Sequence, residues 1–153
     1  MKIRTQELIG PALDWAVAQS EGLPLKLDPM GFRKDYQGSI ESGWWVWFGT
    51  SEGLVVGHRM LHRGREQGYS PSTDWAQGGP IIEREITGVD LVSEWKGVKK
   101  WSARKFEYLP NDQTRCTEQY GPTPLIAAMR CLVTSRLGEE VEVPDELFQG
   151  TEP

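Results

Sequence analysis

The sequence predicts an α+β domain in which a small antiparallel sheet is packed by an N-terminal helix and a C-terminal helix. Three observations predict it. One segment near each end carries helix-spaced apolar residues with local start and stop signals. Between them lie runs of strand length, rich in aromatic and β-branched residues and separated by glycine-containing turns. The 153 residues suit one domain that buries roughly 70% of its unfolded surface, so helices and strands share one core. The globular part is expected over 1–143, with an acidic, loosely ordered tail over 144–153.

The elements follow in order. Thr5 stands where it can cap a helical segment running to about Ser20, with Leu8, Ala12, Leu13, Ala16 and Val17 on one face and Gly22 just past its end. Pro11 divides that segment, so the firm part of the helix begins there. Residues 22–43 are rich in Pro, Gly and charge and read as a long loop holding at most one short element. WWVWF (44–48) and GLVVGHRML (53–61) are apolar runs of strand length that could pair as a hairpin.

Residues 63–80, RGREQGYSPSTDWAQGGP, read as a shaped loop in which Ser72 or Thr73 caps a short helix; IIERE follows as a short element. VDLVSEW comes next, and VKKWSARKF (98–106) is a strand by its aromatic and β-branched content. The segment GPTPLIAAMRCLVTSRLG carries every helix signal in sequence. Thr123 is the N-cap and Pro124 the first helical residue. Leu125, Ala128, Met129, Leu132 and Val133 form the apolar stripe, Arg136 lies in the last turn, and Gly138 is the terminator.

Composition narrows the function. Seventeen Lys and Arg stand against 22 Asp and Glu, a formal charge of -5, with a mean hydropathy of -0.49. That balance argues against general duplex nucleic-acid binding, which needs a dense basic footprint. The N-terminal MKIRTQELIGPALDW lacks a signal-type apolar run, and no 18-residue apolar stretch follows, so a cytoplasmic protein without a membrane partner is expected. Cys116 and Cys131 lack metal-ligand spacing and a local His partner, so neither zinc nor a disulfide framework is expected. Seven tryptophans are many for this length, and some should line a surface or a pocket.

The candidate ligand site is Tyr69-Ser70-Pro71-Ser72-Thr73-Asp74-Trp75 with Gly78, Gly79 and Arg84. A capping Ser72 or Thr73 leaves backbone N–H groups free, Ser70 adds a hydroxyl, and the Gly78-Gly79 backbone can approach an anion. Tyr69 or Trp75 can stack on a planar base. Such a set suits a small nucleotide-type ligand. The same residues also make a tight structural loop, with Asp74 and the hydroxyls satisfying nearby backbone and Trp75 filling the core. Neither a P-loop nor a GxGxxG pattern is present.

His58 and His62 would share one face of a helix, but Arg59 stands where the zincin pattern needs Glu, and Arg63 and Arg65 make the run a basic edge. No metal, no cofactor and no catalytic residue is therefore assigned. Cys131 lies within the C-terminal helix as core, and the paired carboxylates lack a distinctive local pattern. The run Trp44, Trp45 and Trp47 is expected in the core or at the interface of a homodimer.

The strings YSPSTDWAQGGPIIERE and GPTPLIAAMRCLVTSRLGEEVEVPDEL, with ELIGPALDWAVAQSEG at the front, resemble the NinX-like family of small phage proteins. The resemblance implies a viral origin and expression in a bacterial host cytoplasm, and it brings no catalytic residues to carry over. Two readings follow. In the first, the chain is a non-catalytic phage accessory protein that binds a small nucleotide-type metabolite or signal and so counters a host defence pathway. In the second, it inhibits or redirects a host protein through an aromatic surface around Trp44 to Trp47, and the Tyr69 to Trp75 loop is structural. A nucleotide hydrolase ranks behind both, for want of a nucleophile, metal cluster or phosphate motif.

Overall fold

The computed structural model describes residues 1–23, 25–27, 44–47, 50–51, 54–55, 58–60 and 69–148. In chain order these form β1 (Lys2–Arg4), a 3-10 turn (Thr5–Glu7), α1 (Gly10–Ser20), β2 (Leu25–Leu27), β3 (Trp44–Trp47), β4 (Thr50–Ser51), β5 (Leu54–Val55) and β6 (His58–Met60). Then come α2 (Trp75–Glu85), β7 (Gly88–Trp95), β8 (Val98–Tyr108), β9 (Thr114–Gly121), α3 (Pro124–Leu137), β10 (Glu140–Glu142) and a second 3-10 turn (Asp145–Phe148). Every strand pairing is antiparallel: β1 with β10, β2-β3-β6, β4 with β5, and the meander β7-β8-β9. The α+β class is the one expected.

The meander and α3 form the centre. Trp95 pairs with Val98 across a two-residue loop in which Lys96 (φ 50°) and Gly97 (φ 81°) both take positive φ. This is the left-handed geometry that matches the right-handed twist of a hairpin. α3 starts as expected: the Thr123 hydroxyl accepts from the Ile126 N–H at 3.1 Å, Pro124 opens the first turn, and Gly138 ends the helix. Leu125 to Met129 and Cys131 to Val133 are all buried, because α3 is covered by the sheet on one side and by α1 on the other. The N-terminal helix thus reaches the sheet through the C-terminal one. Leu13, Ala16 and Val17 of α1 are fully buried in the same core as Met129 and Leu132.

Several expectations change. Thr5 does not cap α1; it opens the 3-10 turn, and its hydroxyl donates to Gly138 O at 2.8 Å, tying the front of the chain to the end of α3. The helix begins at Gly10 with Pro11 in its first turn. The expected hairpin of 44–48 with 53–61 is more broken: β3 pairs with β2 and β6, and β4 and β5 lie between. His58 lies in a strand rather than a helix, and His62, like Arg63 and Arg65, is outside the described residues. Residues 28–43 of the expected long loop are outside them as well. β9 was not anticipated at all. The acidic end is more built than expected up to 148: β10 pairs with β1, and Leu147 packs into the core.

Candidate functional site

The loop at 69–74 folds around its own backbone. Ser70 O accepts from the N–H groups of Thr73 (3.1 Å) and Asp74 (2.8 Å), and the Ser70 N–H donates to Gln77 Oε1 at 3.0 Å. Asp74, rather than Ser72 or Thr73, caps α2: its Oδ1 accepts from the Ala76 N–H at 2.9 Å and its Oδ2 from Gln77 Nε2 at 3.0 Å. Ser72 is buried, and its N–H donates to Oδ1 of Asp14, 2.9 Å away on α1. Asp14 itself is only 4% exposed. Burial pushes its carboxyl up to about 7 against the pull of that hydrogen bond.

Gly78 and Gly79 do not form an anion-cradling loop. They lie inside α2, which runs unbroken through Pro80 to Glu85, and Gly78 N–H bonds Asp74 O at 2.8 Å. Gly78 is needed for packing: a Cβ there would stand 2.3 Å from Pro71 O and 2.5 Å from Leu125 Cδ2. Tyr69 is buried, with its phenol pKa raised by burial, whereas Trp75 is 57% exposed at the helix start. Arg84 lies nine residues further along the helix, about 13 Å by helical rise. There it pairs with Glu21 and, at 3.1 Å, with Glu85. Ser70, Asp74 and Gln77 are thus brought together as a cap, and Ser72 is tied to Asp14. Thr73 joins them through its N–H on Ser70 O, whereas Trp75 and Arg84 stand near opposite ends of α2.

Glu85 is the hub where α2, β8 and α3 meet. Its Oε2 takes Lys105 Nζ at 2.6 Å and Arg136 Nη2 at 2.9 Å, while Oε1 takes Arg84. The Lys105 hydrogen bond is the main reason its carboxyl is held down to about 2. With every charge partnered, this cluster reads as a joint of the fold. No metal-binding group of His, Cys, Asp and Glu occurs among the described residues. No helix there is long and apolar enough to cross a membrane.

The surface that sequence reasoning missed is the sheet face turned away from α3. Along β8 the residues alternate: Ala103 and Lys105 point inward and are buried, while Phe106 (57% exposed) and Tyr108 (92%) lie outward. The register adds Val98 and, from β7, Trp95 (75% exposed). Tyr120 joins from β9, with Lys100 Nζ 4.4 Å from its ring centre and its hydroxyl on Glu118. Arg104 pairs with Asp90 on the same face. The alternation in VKKWSARKFEY was the available signal, since period two puts Val98, Lys100, Arg104, Phe106 and Tyr108 together. A family model described as Bacteriophage P22, NinX matches residues 4–136. No curated protein matches the chain.

Proposed function

The chain belongs to the bacteriophage P22 NinX family, and from that premise we propose that this phage accessory protein is a non-catalytic binder of a host protein in the bacterial cytoplasm. The contact is made through the outer face of the β7-β8-β9 meander, and countering host defence is the purpose this reading gives to it. One observation carries the reading: four large apolar side chains, Trp95, Val98, Phe106 and Tyr108, stand more than half exposed on one rigid sheet face. Aromatic side chains on a preorganised surface bury much area at little entropic cost, which is what binding hot spots need. Charges of both signs, Arg104 with Asp90, Lys100 over the Tyr120 ring and Glu118 on the Tyr120 hydroxyl, interleave with them and suit a mixed protein surface better than a polyanion. The hydrogen bonds within the Tyr69 to Trp75 loop and from Ser72 to Asp14 support a structural part for it.

The test is the double substitution Phe106→Asp and Tyr108→Asp. Both side chains are exposed, so the protein keeps its melting temperature within a few degrees. Capture of a defined host protein from lysate, identified with the unmodified chain and reproduced with purified components, drops at least tenfold. Retention of full affinity by the double variant overturns the reading.

A further inference from the structure

Beside the end of β9 lies a cleft of about 430 Å³, bounded by the first 3-10 turn, the start of β8 and the middle of α3. Lys99, Lys100 and Arg130 line it, with Gln6, Gln119 and Tyr120. Arg130 is the unusual member. Its Nε donates to Leu8 O at 2.9 Å and its Nη1 to Tyr120 O at 2.8 Å, so its partners are carbonyls and not carboxylates. Burial lowers its pKa, the expected effect on a cation removed from water without a counter-ion. Two of five guanidinium N–H groups are used, and three remain.

Lys100 rests over the Tyr120 ring, and neither it nor Lys99 makes an ion pair among the described residues. The carboxylate on the cleft wall, Glu7, is taken by Arg4 at 2.6 Å. Three cations, none of them in an ion pair among the described residues, therefore line one hollow of a chain whose net charge is -5. Clustering like charges costs free energy unless something negative answers it.

We infer that this cleft binds a phosphoryl group, carried by a free phosphate or a nucleotide. A phosphoryl dianion brings close to two negative charges and three acceptor oxygens, enough to engage the Arg130 fork and a lysine together. A carboxylate brings only one negative charge and two oxygens to the same three cations. The inference differs from the outer-face reading in its centre, because Lys99 and Arg130 lie off that face and only Lys100 borders both. Phe106 and Tyr108 are also six to eight residues along β8 from Lys100, about 20 Å or more.

The experiment is calorimetric titration of the full chain with inorganic phosphate, ADP and glutarate at fixed ionic strength. It is repeated on Arg130→Gln and on the double variant Lys99→Gln and Lys100→Gln. The lysines are exposed, so the double variant tests the site even where Arg130→Gln weakens the fold. Phosphate or ADP is expected to bind and to lose at least tenfold in affinity in the double variant. Phosphate binding as well as ADP makes the free ion the ligand, and ADP binding more tightly makes it a nucleotide; both support the site. Glutarate binding equal to phosphate, unchanged affinity in the double variant, or no binding of either probe at millimolar concentration overturns it.

Discussion

Replacing Gly78 and Gly79 by alanine, one at a time, separates a packing role from a ligand-cradling one. In α2 both changes gain about 1 kcal/mol from helix propensity. At Gly79 nothing lies within 4 Å of the new methyl, so that gain is kept. At Gly78 the methyl would stand 2.3 Å from the backbone oxygen of Pro71 and 2.5 Å from Leu125 Cδ2, about 1 Å inside ordinary contact. Leu125 can yield; the carbonyl of buried Pro71 can move only with the loop that Ser72 anchors to Asp14. Overpacking of this kind costs about 1–3 kcal/mol and occasionally more. The severity of a backbone clash puts Gly78→Ala at the upper end, so the net loss after the propensity gain is about 2 kcal/mol. For a chain of this length that is a fall of about 4–8 °C in Tm, against a rise of about 2–4 °C for Gly79→Ala. Calorimetric or circular-dichroism melts of the two variants read this directly. Equal stabilities would refute the packing argument and reopen the Gly-Gly backbone as a place for a ligand.

Two further perturbations follow from the buried carboxylates. Asp14 has its pKa raised from 3.8 to about 7, so between those values the folded state holds a proton that the unfolded state has released. Its contribution therefore favours folding most at low pH, and about 4 kcal/mol drains away as pH rises from 4 to 7. Asp14→Asn keeps an acceptor for the Ser72 N–H, and urea titrations should show it flattening that slope and stabilising the protein at pH 8. Glu85 behaves in the opposite sense: its carboxyl is depressed to about 2, so its contribution is full above pH 4.5 and is lost as pH falls toward 2. Glu85→Gln leaves Lys105 in its mostly buried position without its anion and should cost about 3 kcal/mol at pH 7, a deficit that shrinks in urea titrations at pH 2.

The legible parts of the fold were those whose chemistry is local. The Thr123 hydroxyl, Pro124 and Gly138 each act within one turn of α3, so the sequence alone located its ends. α2 was hidden because Gly78, Gly79 and Pro80 are read as loop residues, while what keeps them helical is not local: the Asp74 cap and the close approach of Pro71 and Leu125. β9 escaped because Thr114, Arg115, Glu118 and Gln119 carry little apolar pattern. Its strand character comes from pairing with β8 and from α3 above it. At the candidate site, residues 69–74 join α1 to α2 through the bond from Ser72 to Asp14 and the Asp74 cap, contacts that spacing along the chain does not carry. The outer aromatic face and the cations around Arg130 depend on cross-strand register and on contacts between distant segments, which one-dimensional spacing does not carry.

Arg130 reaches back 122 residues to the carbonyl of Leu8, and the timing of synthesis follows from that. α1 leaves the ribosome well before α3, so Leu13, Ala16 and Val17 wait for the larger part of their cover. At about 5–20 residues per second, the delay is about 6 to 24 s. During it the nascent chain displays an apolar helix that chaperones would recognise, whereas α2, the meander and α3 are contiguous and can assemble as they emerge. A host short of chaperones that hold nascent chains should therefore lower the yield of this protein, and moving α1 to follow α3 in a permuted chain should restore it.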